Sequence, residues 1–79
     1  MNNNLEKYNK IFVELFGISK SELYTLKLKE SSHWDSVGHI ALISTLEEVF
    51  DISLHTDDMF AIRSYQEGIQ ILKKYHIVF

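Results

Sequence analysis

Ser36 and His39 stand three residues apart where the pattern opens a helix, so a hydroxyl and an imidazole occupy neighbouring positions of one turn. Such a pair suggests a nucleophile and its base. Hydrolytic chemistry also needs an oriented third group and an oxyanion element, and 79 residues leave little chain to enclose a pocket. Neither is evident, so independent enzymatic activity is not expected. His33, His39, His55 and His76 include no pair at i, i+4 and no zinc or haem spacing, so they read as surface or partly packed side chains and no metal is expected. Gly17, Gly38 and Gly68 form no phosphate-binding loop. The plainest physical role for Asp35 and Ser36 is to cap the helix that follows.

The elements that would position these residues are helical. Leu5, Tyr8, Phe12 and Leu15 recur at helical spacing from Asn4 to Phe16, with Ile11 and Phe16 widening the stripe. Asn3 or Asn4 suits its N-cap and Gly17 its C-terminal stop. From Ile18 to Trp34 the pattern loosens. Ser19 and Glu22 have capping-box spacing for one short turn, and Leu23, Leu26 and Leu28 read as anchors that pin a long loop. Ser36 to Phe50 is the clearest helix, with Leu42, Ile43, Leu46, Val49 and Phe50 as its apolar stripe and Val37 and Ile40 extending it. Ile52 and Leu54 read as buried beside the turn after Asp51. Thr56 is the expected cap of a short helix over Asp57 to Ala61, whose first turn holds favourably placed acids. Ser64 and Glu67 form a capping box for a last helix that would bury Tyr65, Ile69, Leu72 and Tyr75, with Lys73 and Lys74 at its C-terminal end. No segment alternates as a strand does. The expectation is three main helices and one short one, packed as a bundle.

Composition narrows the function classes. Residues 1–79 read as one domain with no linker and no repeat, a free-standing protein rather than part of a longer one. With no cysteine there is neither a disulfide framework nor a thiolate metal site. No apolar run approaches the roughly 20 residues of a membrane span, and Met1-Asn2-Asn3-Asn4 lacks the features of a secretion signal, so a cytoplasmic location is expected. The net charge of −3 speaks against nucleic-acid binding. No Lys or Arg occurs between Lys29 and Arg63, while Glu30, Asp35, Glu47, Glu48, Asp51, Asp57 and Asp58 fall there. A middle of one sign suits basic partners, although solvated helix faces would look the same.

The junction Ser32-His33-Trp34-Asp35-Ser36-Val37-Gly38-His39-Ile40 adds a specific resemblance. Carrier proteins of fatty-acid, polyketide and peptide synthesis share an Asp-Ser-Leu-like motif at the start of their second helix, where this chain has Asp35-Ser36-Val37. The helix closes on Leu46-Glu47-Glu48-Val49-Phe50-Asp51-Ile52, similar to the family's Leu-Glu-Glu-x-Phe-Asp or Phe-Gly ending. The order of helices matches as well, so nearly the whole chain resembles the acyl carrier protein family. Trp34-Asp35-Ser36-Val37-Gly38-His39 looks like a free-standing bacterial subgroup outside core fatty-acid synthesis.

The resemblance implies an all-α, four-helix bundle with a short third helix. It implies a phosphopantetheine arm on Ser36, attached from coenzyme A by a phosphopantetheinyl transferase, with Asp35 helping to place magnesium during transfer. Val37, Ile40, Ala41, Ser44, Glu47 and Glu48 would face partners, although Val37 and Ile40 also suit a core. Those partners would be a ligase that loads an acyl or aminoacyl group and a downstream transferase or synthase, in fatty-acid or secondary-metabolite biosynthesis. The carrier itself would be a monomer that neither binds nucleic acid nor inserts into membranes. Gly38 and Ala41 stand where fatty-acid carriers usually have acidic residues, which suggests other partners. Trp34 would pack the loop, shield the root of the arm or touch a partner, packing being the default. An aminoacyl or peptidyl carrier remains an alternative, as does a helical interaction module without an arm.

Overall fold

Helix α1, Asn4–Phe16, buries Tyr8, Ile11, Phe12 and Phe16 on one face. In this computed structural model, which describes residues 3–26, 28 and 34–79, the chain is all-α. Among those residues a 3-10 helix, Lys20–Thr25, follows α1, then come α2, Ser36–Phe50, α3, Thr56–Ala61, and α4, Tyr65–Lys73, with no β-strand. His33 and Glu30 lie outside the described residues. No described helix is long and apolar enough to cross a membrane.

The termini of α1 follow from local chemistry. Gly17 takes φ 63°, a left-handed stop that costs glycine nothing. At the other end Asn3 is the N-cap, but its side chain makes no capping bond. Two residues of the expected stripe are exposed: Leu5 sits in the first turn, and Leu15 opens into a groove shared with Ile11 and Val49.

The loop after α1 is anchored as its leucines suggest. Ser19 N–H donates to Glu22 Oε1 at 3.2 Å, the reciprocal half of a capping box. Leu23 and Leu26 are buried, and Leu28 is half-buried with its N–H bonded to the carbonyl of Arg63 at 2.8 Å. That bond ties the loop to the α3–α4 link.

Helix α2 runs between two strong signals. The Asp35 side chain accepts from Gly38 N–H at its start, and Asp51 ends it in the left-handed region at φ 54°. Its inward face is His39, Leu42, Ile43 and Leu46. Val49 is exposed and Phe50 half-buried. Leu54 is buried and Ile52 half-buried beside the turn. The cap of α3 is His55 rather than the expected Thr56, which is already the first helical residue; no side chain caps this short helix. In α4, Ser64 Oγ accepts from Glu67 N–H at 3.1 Å, and Tyr65, Gly68 and Leu72 are buried while Ile69 and Tyr75 are half-buried.

The core is strongly aromatic. Trp34 is fully buried, stacks on Phe16 at 5.5 Å and meets Phe12 edge-on at 5.5 Å. Phe12 also touches Tyr65 at 5.7 Å. Such pairs contribute about 0.5–1.5 kcal/mol each beyond their burial. Trp34 therefore does what packing requires, stapling the loop before α2 onto α1. Tyr8 joins α1 to α4, donating from its hydroxyl to the Tyr65 carbonyl at 2.6 Å over the bare backbone of Gly68. Burial pushes the Tyr8 phenol well above the ordinary tyrosine range.

Candidate functional site at the start of helix α2

The approach to α2 is fixed by a cap and a core residue. Trp34 is buried, so the next two residues are delivered to the surface at a set position. Asp35 is in extended backbone, with its carbonyl accepting from His39 N–H at 2.9 Å and its Oδ1 accepting from Gly38 N–H at 2.8 Å. The cap thus uses one of the first-turn N–H groups that lack a helical acceptor. Ser36 is the first residue of α2 and is exposed. Among the described residues its Oγ is tied down by no hydrogen bond.

His39 does not serve as a base for that hydroxyl. It is buried, its Nδ1 accepts from the Trp34 indole N–H at 3.1 Å, and its Nε2 donates to the Met59 carbonyl at 2.7 Å. Since an indole only donates and a carbonyl only accepts, the proton of this imidazole is on Nε2 and both nitrogens are committed. The sequence spacing of Ser36 and His39 is real, but the two side chains have opposite duties. Ser36 faces out, while His39 joins the loop, α2 and α3. His39 is also more enclosed than a surface histidine; its place three, four and seven residues before Leu42, Ile43 and Leu46 is the signal that it belongs to their face.

A cavity of about 420 Å³ opens beside Ser36, lined by Leu28, His39, Ile40, Phe60 and Arg63 as well. Phe60 and Arg63 were not singled out by sequence reasoning. The available signals were a large aromatic in a six-residue helix and the first basic residue after Lys29. A second groove, of about 450 Å³, lies between α1 and α2 along Lys7, Lys10, Leu15 and Val49, and holds none of the site residues expected from the sequence.

The expected docking residues divide. Val37 is 76% exposed and Ile40 69% exposed, so both leave the core and stand at the surface. Ser44 and Glu48 are also exposed, on the same stripe, and Ala41 is half-buried. Phe60, 65% exposed, extends the apolar surface onto α3. Glu47 is half-buried at the edge of the stripe, where its Oε2 accepts from Leu54 N–H at 2.8 Å. The acidic middle of the chain divides in the same way. Asp35 caps α2, Glu47 holds the turn after it, and Asp58 is buried against Lys74 at 2.8 Å and the Tyr75 hydroxyl. Glu48, Asp51 and Asp57 remain as exposed negative charge.

No group of three or more His, Asp or Glu capable of holding a metal ion occurs among the described residues. Asp35 is a single carboxylate with one oxygen engaged by Gly38. No family model matches the chain, and no solved structure matches it.

Proposed function

We propose that this chain is a carrier protein whose Ser36 bears a phosphopantetheine arm, and that its helices form the four-helix bundle of such carriers. The observation that carries the reading is Ser36 itself: an exposed, untethered hydroxyl on the first residue of the helix, beside an Asp35 cap and the mouth of a cavity. The site fits the group. Ser36 is exposed, the cavity beside it is mainly apolar with Arg63 in its lining, and a helix start favours negative charge.

Attachment forms a bond from Ser36 Oγ to the phosphorus on the pantetheine half of coenzyme A. The bond from that phosphorus to the adenosine bisphosphate half breaks, and that half leaves with the electron pair. The serine proton passes to a base on the transferase, consistent with the commitment of both nitrogens of His39 elsewhere. Asp35 Oδ2 is the oxygen left to help place magnesium, since Oδ1 holds Gly38. When bound, the arm supplies the thiol that holds an acyl or aminoacyl group as a thioester. The chain's own residues position the serine and present the stripe of Val37, Ile40, Ala41, Ser44 and Glu48 to the transferase, the loading ligase and a downstream transferase or synthase. Glu47 takes the lesser part there because the turn at Leu54 uses it. Cytoplasmic biosynthesis outside core fatty-acid synthesis is the setting this reading supports.

A second reading has its own observation. The exposed apolar group of Val37, Ile40 and Phe60 would equally serve an interaction module without an arm. Intact-protein mass separates the two after incubation with coenzyme A, magnesium and a broad-specificity transferase. The carrier gains one phosphopantetheine, and the armless module gains nothing with any of several transferases. Labelling by a serine-reactive phosphonate would instead indicate a hydrolytic Ser36, which the engaged His39 disfavours.

A further inference from the structure

Arg63 lines the same cavity as Ser36 although it stands 27 positions further along the chain. It is the first cation after a run of 33 residues without Lys or Arg. Its position is held at two points. The backbone carbonyl accepts from Leu28 N–H at 2.8 Å, and the side-chain Nε donates to the Phe60 carbonyl at 3.1 Å. The second bond also covers an orphan carbonyl at the end of α3, an ordinary duty for a cation there. It uses only one of five guanidinium N–H groups. The four on the terminal nitrogens have no partner among the described residues, where Lys74 with Asp58 forms the ion pair. An anchored, always-charged fork therefore lines a mainly apolar cavity together with Ser36.

We propose that Arg63 pairs with a phosphodiester carried on Ser36, an inference that rests on the carrier reading. The chemistry matches in shape and charge. A phosphodiester has one negative charge shared by two non-bridging oxygens, and the terminal guanidinium nitrogens present parallel donors to such a pair. Among the described residues, no aspartate or glutamate lines this cavity beside the fork. The pairing draws the root of the arm across the cavity toward α3 and away from free solvent. It also makes the end of α3 sensitive to whether Ser36 is loaded, because the same side chain holds Phe60. Arg63 is thus a positioning residue for the arm.

The test uses the full chain as wild type, Arg63→Lys and Arg63→Gln, each before and after treatment with coenzyme A, magnesium and transferase. Intact mass reports loading, phosphorus NMR reports the diester, and the Arg63 Nε–H cross-peak reports the guanidinium. The expected result is that the Arg63 cross-peak moves on loading and returns toward its unloaded position at about 1 M salt, where the screening length falls to about 3 Å. The phosphorus resonance shifts in loaded Arg63→Gln and shifts less in Arg63→Lys. A residue that only caps α3 would leave the phosphorus signal identical in all three proteins. Full loading with an unmoved cross-peak and an unchanged phosphorus resonance overturns the role of Arg63 alone. Failure of the folded wild type to gain mass overturns the carrier reading and this inference together.

Discussion

The indole N–H of Trp34 donates to Nδ1 of His39 at 3.1 Å, and the two rings stack with centroids 6.0 Å apart. One contact thus joins the residue that seats the loop to the residue that reaches Met59 of α3. The exposed Ser36 lies between them in sequence and is held in place by both. Replacing His39 with Ala leaves a buried indole donor and the Met59 carbonyl without their partner, at about 1–3 kcal/mol for such an unsatisfied group. Trp34→Phe keeps the ring but strands Nδ1, with a loss of similar size plus a packing defect. Urea unfolding should show both losses, and the double variant should lose less than their sum because they share one bond. Strict additivity would mean that the bond is not coupled.

Glu47 and Glu48 are adjacent but have different work. Glu47→Lys removes the acceptor of Leu54 N–H and should cost about 1 kcal/mol in chemical denaturation. Glu48 is exposed, so Glu48→Lys should stay within about 0.5 kcal/mol of wild type. If the α2 stripe docks partners, Glu48→Lys should nonetheless slow loading by the transferase, more so at low salt. Unchanged loading kinetics at low salt would remove Glu48 from the docking surface.

Helix boundaries were legible because they depend on neighbours in the chain. Gly17, Asp35, Asp51 and Ser64 punctuate the sequence, and α1 and α2 begin and end where the apolar spacing says they should. Which apolar residues are covered was less legible, since that depends on what packs against them. Val37 and Ile40 have the spacing of a core yet lie at the surface, because α2 is apolar round much of its circumference and only one side meets the bundle. The cavity beside Ser36 was not legible at all. It needs α3 and the α3–α4 link to bring Phe60 and Arg63 back to the start of α2, and no local pattern encodes that approach.

Gly68 is required by contact rather than by backbone conformation. A Cβ there would collide with the Tyr8 hydroxyl and stand 3.1 Å from Tyr8 Cζ. Gly68→Ala should destabilise the protein by about 1–3 kcal/mol from overpacking, although alanine is the better helix former by about 1 kcal/mol. Tyr8→Phe removes the colliding oxygen and should recover part of that loss in the double variant. No recovery in thermal melts would show that the ring, and not the hydroxyl, sets the limit.

Asp58 gives the protein an acid-sensitive joint between α3 and the end of α4. The bond from Lys74, then the one from the Tyr75 hydroxyl, holds its carboxyl below the ordinary aspartate range. A depressed value means that this stabilisation is fully present above the ordinary aspartate value of about 3.9 and is lost as pH falls through the folded value beneath it. The same Asp58 bond raises the Lys74 value, so its contribution is present below the ordinary lysine value of about 10.4 and is lost as pH rises through the folded one. Melting temperatures of wild type and Asp58→Asn should therefore differ near neutrality and converge in strong acid. A constant difference across the acid limb would contradict the assignment.

The central claim is that Ser36 is an attachment point and not merely part of a cap. Asp35→Ala should cost about 1 kcal/mol through loss of the cap, whereas Ser36→Ala, with no hydroxyl bond to lose, should stay within about 0.5 kcal/mol of wild type. Fragment mass spectrometry after treatment with coenzyme A, magnesium and transferase decides the matter. The account predicts one phosphopantetheine located on Ser36 and none on the equally stable Ser36→Ala protein. A folded wild type that stays unmodified with several transferases, or a modification mapped to another residue, would contradict it.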